Sequence, residues 1–324
     1  LRMNISNLYW IDKLYENINF DNLPHGIIIN GPDGIGKGRL AIKISSKLLV
    51  NKNNNNENIS ISKSNNHPDF FVLDKERIHI KHIALREGEW DEEIGNRNVN
   101  DFLSVTPSIS INKVALILNA QSMNDASQNA LLKTLEEPAP HSYIIMTTNR
   151  PNSLLDTIYS RCQVITIPPL NENDINEWLV NNGISDISAK DFPSFISPLK
   201  IMEEIQNNEH LNFKNFIKIL NDFIDNKINQ ETAIKGINNL EIDLITKINY
   251  LIEFLKILLK SKLLSETLSG IYERFNLSTF NNLKISNIIN ELNNLRYDFF
   301  KVPQINENHV LNYFFSELKN SIKI

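Results

Sequence analysis

Residues 30–40, NGPDGIGKGRL, constrain the fold of this chain more than any other stretch. A glycine-rich turn of this kind works only between a strand and a helix, and both flanks are present. HGIIIN (25–30) is a β-branched run that reads as a buried strand. GRLAIKISSKLL (38–49) places Leu40, Ile44 and Leu48 at helical spacing. The pattern G-x-x-x-x-G-K-[ST] cradles phosphates on backbone N–H groups, with the lysine reaching the outer phosphates and the hydroxyl holding Mg²⁺. Gly31, Gly36 and Lys37 fit it, and Gly34 lies within the loop. Position 38 is glycine, so the hydroxyl is missing.

Further strands are predicted at DFFVLD (69–74), KVALILNA (113–120), SYIIMTTN (142–149) and QVITI (163–167). Between the third and fourth strands, SMNDASQNALLKTLEE (122–137) has the length of a helix. Its expected buried stripe is Ala126, Ala130, Leu131, Thr134 and Leu135, and Pro138 ends it. A second helix is expected over 152–159. Strands alternating with helices predict an α/β domain with a parallel sheet covered on both faces. After IPPL (167–170) only helical periodicity is visible, in NENDINEWLVNNG (171–183) and in IDLITKINYLIEFLKILLKSKLL (242–264). The expected division is an α/β domain over 1–168, a small helical domain over 169–206 and a helical domain over 207–324. The Asn-rich stretch 51–66 reads as a flexible surface loop, and the charged segment 82–100 is ambiguous.

Composition narrows the function. The formal charge of −5 argues against a chain that grips nucleic acid alone, since such domains are usually basic. The single cysteine, Cys162, excludes an internal disulfide and a cysteine-based zinc site. No apolar run reaches the ~18 residues of a membrane span. The lone cysteine makes a reducing cytoplasm the expected location, and the opening, LRMNISNLYW, lacks the charged-then-apolar order of a signal peptide.

The phosphate loop is chemically incomplete at a second place. The acidic residues that hold Mg²⁺ should follow the central strand, where the sequence has Asn119, Ala120 and Gln121. With position 38 also lacking an oxygen, metal-dependent charge stabilisation is expected to be lost, and hydrolysis by this chain alone is not expected. His79 and His82 are an i, i+3 pair without a third ligand nearby. Glu136 and Glu137 close a helix and read as surface or interface charges.

NALLKTLEEP (129–138), TTNRP (147–151) and SRC (160–162), in that order, resemble the bacterial clamp-loader members of the AAA+ superfamily. HPDFF (67–71) and NAQSMN (119–124) make the chain similar to the delta-prime family of DNA polymerase III rather than to the gamma/tau motors. The resemblance covers roughly residues 25–170. It implies a P-loop AAA+ sheet domain, a helical lid and a helical collar. It implies a non-motor subunit in a ring with delta and gamma/tau subunits, reaching the sliding clamp and primed DNA through that assembly, with no membrane partner. It also implies that Arg161, flanked by Ser160 and Cys162, serves in trans as an arginine finger for a neighbour's Mg·ATP. On this reading Gly31, Gly34, Gly36 and Lys37 form a vestigial or weak phosphate loop, and no cofactor is required. Thr147 and Thr148 fall at the sensor position and are expected to be structural. The sequence departs from the family in lacking the four-cysteine zinc module, so no zinc is expected. It also has Lys200 as the nearest cation to the second sensor position of motor subunits. The alternative is an active ATPase of the gamma/tau type.

Overall fold

The computed structural model describes residues 8–51, 54–58, 67–84, 97–299 and 306–323. Its contacts divide the chain into two compact units. One runs to Asn171 and includes Ser197–Leu199; the other comprises Glu172–Ile196 and Lys200 onward.

The first unit is the expected α/β domain. Its five strands are β1 (Gly26–Asn30), β2 (Phe70–Asp74), β3 (Lys113–Leu118), β4 (Ser142–Thr148) and β5 (Cys162–Thr166). They form one sheet in the order β2-β3-β4-β1-β5, and every pairing is parallel. The inner strands are uninterrupted apolar runs because both their faces are covered. β5 lies at one edge and is largely exposed.

The helices of this unit are α1 (Tyr9–Glu16), α2 (Lys37–Leu48), α3 (Ile80–Ile83), α4 (Val99–Ser104), α5 (Asp125–Glu136) and α6 (Asp156–Tyr159). One face of the sheet packs Ile28, Phe71, Ala115, Ile117, Ile144 and Met146 against Leu131, Leu135 and Ile158.

The expected stripe of α5 needs correction. Leu131 and Leu135 are buried, but Ala126 is exposed, and the polar Ser127 and Gln128 are buried in its place. Hydrogen bonds explain the exchange. Ser127 Oγ donates to the Ile78 carbonyl, and Gln128 Nε2 donates to the Met123 and Ser153 carbonyls. Gln128 Oε1 accepts from Leu155 N–H. Each buried polar atom thus ties α5 to a connecting segment that has no ladder of its own. The helix expected over 152–159 is instead a 3₁₀ turn, Pro151–Ser153, followed by the single turn α6.

HPDFF has a structural role. The carboxylate of Asp69, a fully buried residue, accepts N–H bonds from Ser108, Ile109 and Ser110 at 2.7, 2.8 and 2.7 Å. His67 Nδ1 accepts from Asp69 N–H at 3.1 Å. The motif therefore fixes the segment that leads into β3. In the Asn-rich stretch, the loop expectation fails for the described part: Val50–Asn51 pairs antiparallel with Asn54–Asn58. The remainder, 52–53 and 59–66, lies outside the described residues. So do residues 85–96 of the ambiguous charged segment, which is flanked by α3 and α4.

The second unit is helical: α7 (Glu172–Asn181), α8 (Pro198–Gln206, entering from the first unit), α9 (Asn212–Ile224), α10 (Gln230–Asn238), α11 (Leu244–Leu264), α12 (Asn282–Phe299) and α13 (Glu307–Ser321). Helices α9 to α13 share one core, in which Phe216, Phe223, Leu251, Phe254, Leu292 and Phe315 are buried. Asn229, Asp243 and Asn306 cap α10, α11 and α13 by accepting N–H bonds from Thr232, Thr246 and His309. The expectation of helices alone from 171 onward misses one short pairing, Thr279–Phe280 with Ile322–Lys323. Among the described residues, no helix is long and apolar enough to cross a membrane.

Candidate functional site

The sheet has two ends, and the candidate residues occupy both. At the C-terminal ends of the strands, β1 runs into the loop Gly31–Gly36 and then α2. Gly34 and Gly36 have φ of 65° and 105°, values that favour glycine over any residue carrying a Cβ. A Cβ at Gly34 would stand 2.0 Å from Ser197 Oγ, and Leu199 N–H donates to the Gly34 carbonyl. Trp10 Nε1 of α1 donates to the Ile35 carbonyl at 2.9 Å, while Leu8 and Ile11 close on Gly36. The loop is thus packed by protein on two sides.

Lys37 is turned onto its own loop. Its ammonium lies 2.9 Å from the Gly31 carbonyl, 2.7 Å from the Pro32 carbonyl and 3.4 Å from Asp33 Oδ1. An ammonium has three N–H donors, and these three acceptors use them all. Burial lowers the Lys37 pKa, against the opposing pull of Asp33. Asp33 in turn accepts from Asn149 Nδ2.

Metal support is absent at the two positions flagged by the sequence. A Cβ added at Gly38 would meet only Leu118 Cδ2 at 3.8 Å, so the missing side chain is not a steric necessity. Asn119, held in the left-handed region at φ 55°, points its amide toward Asp74 Oδ1 at 3.5 Å. Asp74, at the end of the neighbouring strand β2, escaped the sequence reading because only the β2–β3 register places it beside Leu118 and Asn119. Among the described residues no cluster of three or more His, Cys, Asp or Glu could hold a metal ion. A saturated lysine, no hydroxyl at 38 and an amide in place of a carboxylate do not fit a magnesium nucleotide. Thr147 and Thr148 are buried: Thr147 Oγ1 accepts from Asn119 N–H and Thr148 Oγ1 from Arg150 N–H. At the end of β4 it is Asn149, not either threonine, that faces the loop through Asp33.

Arg161 is at the other end. Cys162 is in register with Gly26, the first residue of β1, whereas the loop follows Asn30, which is in register with Thr166. Four strand rises at about 3.3 Å each separate the two levels by roughly 13 Å. Arg161 therefore cannot serve the loop of its own chain. It is exposed, and three acceptors hold it: Nη1 donates to the Thr157 carbonyl at 2.7 Å and Ser160 Oγ at 3.1 Å, and Nη2 pairs with Glu136 Oε1 at 2.7 Å. Its side chain is 33% exposed and that of Glu136 50%, so the ion pair itself adds only about 0–1 kcal/mol to stability.

The base of Arg161 is tightly packed. A Cβ at Gly26 would lie 2.7 Å from Cys162 Sγ, 3.0 Å from Leu135 Cδ2 and 3.3 Å from the Arg161 carbonyl. Burial pushes the Cys162 thiol up to about 12. Cys162 is expected to react with iodoacetamide at pH 8 roughly a thousandfold more slowly in the folded chain than in denaturant, because the thiolate is the nucleophile. Mass spectrometry of timed quenches reads this directly.

A family model described as DNA polymerase III, delta subunit, matches residues 8–171, half of the chain. The chain belongs to this family. Among its relatives, DNA polymerase III subunit delta' of Haemophilus influenzae is 28% identical over 221 residues, which cover 64% of this chain and 64% of that protein. DNA polymerase III subunit delta' of Bacillus subtilis is 28% identical over 182 residues, 55% of this chain and 52% of that protein. The matches thus span between half and two thirds of these relatives. A crystal structure of a DNA polymerase III gamma subunit-related protein from Thermotoga maritima is similar over 97% of this chain and 99% of that one, at 16% identity and a TM-score of 0.46. The family match contains all seven candidate residues: Gly31, Gly34, Gly36, Lys37, Ser160, Arg161 and Cys162.

Proposed function

We propose that this member of the DNA polymerase III delta subunit family is a cytoplasmic, non-motor subunit of the clamp loader, of the delta-prime kind. It scaffolds a ring with gamma/tau motors and delta, and through that ring serves the sliding clamp and primed DNA. Its own phosphate loop is vestigial or weak, and neither nucleotide nor zinc is required by this chain. Arg161 is donated to the Mg·ATP of a neighbouring motor. Residues 169–206 are the lid and 207–324 the collar.

The observation that carries this reading is the separation of the two ends of the sheet. A lysine with all three N–H donors occupied in its own loop lies at one end, and an exposed guanidinium on a packed base lies at the other. A guanidinium so placed can neutralise charge developing on a transferring phosphoryl group only in another chain.

The test is co-purification with the gamma/tau and delta subunits of the same source, followed by ATPase assays with and without this chain. Assembly and a faster motor turnover are expected, with no Mg²⁺-dependent turnover from the chain alone. Turnover by the chain alone that Lys37→Ala abolishes would instead establish the gamma/tau type of activity.

A further inference from the structure

We propose that Glu136 is the positioning residue for Arg161, holding the guanidinium in the pose from which it is donated to the neighbouring subunit. This rests on the finger role proposed above.

Three observations support it. First, Glu136 is the last residue of α5 and reaches Arg161 Nη2 at 2.7 Å, while the Thr157 carbonyl and Ser160 Oγ take Nη1. Two of the three guanidinium nitrogens are therefore fixed from two different elements, which sets the plane of the group as well as its position. The acceptors on Nη1 come from the turn that precedes Arg161, so without Glu136 the guanidinium would be held only from its own local segment.

Second, the end of α5 is itself immobilised. Leu135 packs at the close approach of Gly26, Cys162 and the Arg161 carbonyl. Thr134 Oγ1 donates to Asn100 Oδ1 at 2.8 Å, and Asn100 Nδ2 donates to the Ala130 carbonyl at 3.0 Å. The carboxylate is thus borne on a rigid mount. Third, the pair is too exposed to matter much for folding, so stability alone is a poor account of it.

A long, flexible side chain that must meet a developing charge gains from being held beforehand, since a misplacement of ~1 Å can cost two orders of magnitude in rate. Glu136 does not touch the reacting atoms. It acts through Arg161.

The experiment uses the reconstituted loader with full-length chains. The part of wild-type ATPase that Arg161→Ala removes defines the Arg161-dependent turnover. Glu136→Ala is expected to lower that turnover about tenfold with the KM for ATP unchanged. Glu136→Gln, whose amide oxygen still accepts from Nη2, is expected to retain most of it. Combined with Arg161→Ala, Glu136→Ala should add no further loss. Thermal unfolding of each variant chain, and its incorporation into the loader, confirm that the protein measured is folded and assembled. The proposal is overturned if Glu136→Ala keeps full Arg161-dependent turnover, or if it lowers the rate equally when Arg161 is already absent. If Arg161→Ala itself changes nothing, the finger reading has failed instead, and the two failures remain distinct.

Discussion

Arg161→Ala is expected to abolish most of the turnover at the motor site that faces this chain, while leaving the subunit folded and the loader assembled. Where arginine fingers supply the charge in phosphoryl transfer, they are worth about 10³–10⁵ in rate. The guanidinium does not contribute comparably to the fold. It is exposed, and its contacts are two acceptors on the preceding turn and one screened ion pair. Arg161→Lys should recover little, because an ammonium cannot reproduce the planar geometry that three acceptors now hold. The assay is single-turnover hydrolysis in loaders of defined composition, with gel filtration as the check on assembly. An intact ring with undiminished hydrolysis would refute the role.

Asp69→Ala should have the largest effect on stability, about 3–5 kcal/mol, because it strands three backbone N–H groups around a buried position. A loss of this size is a large fraction of the ~5–15 kcal/mol by which proteins of ordinary stability stay folded. Asn should cost less than Ala, since its carbonyl can still accept. Burial would by itself raise the Asp69 pKa, but the three N–H donors and nearby His67 outweigh it, and the net direction is down. The stabilisation is therefore fully present above the ordinary aspartate value near ~3.9 and is lost as pH falls through the depressed native value. Denaturant midpoints for wild type and Asp69→Ala should differ widely at pH 7 and draw together as the solution is acidified below pH ~4. A constant gap across that range would show that the carboxylate is not the source of the effect.

The parts of the fold that could be read from the sequence are those written in local pattern. Ile27, Ile28 and Ile29 before a glycine loop, and the apolar run of β3, specified a parallel sheet because only strands covered on both faces tolerate such continuity. Polar residues at buried positions misled the reading of α5: nothing near Ser127 or Gln128 in sequence shows that Ile78 and Ser153 will receive their hydrogens. The same limit applied at the candidate site. The absence of a hydroxyl at 38 and of a carboxylate at 119–121 was visible along the chain. The saturation of Lys37 depends on how its own loop turns back over residues 31–33, while the nearness of Asp74 to Asn119 and the hold of Glu136 on Arg161 depend on pairings between segments far apart in sequence. Asn149 was overlooked in favour of the two threonines before it, because strand alternation near the sheet end leaves either facing possible until the register is known.

Strand β1 begins against Cys162 and ends in the loop that Lys37 closes, so a single five-residue rod carries both chemical ends of the domain. The first residue of that rod abuts the Arg161 carbonyl and Cys162, and its last residue leads directly into the glycine loop. A substitution in the glycine loop is therefore a clean test of nucleotide binding only when the packing around Arg161 is shown to be unchanged.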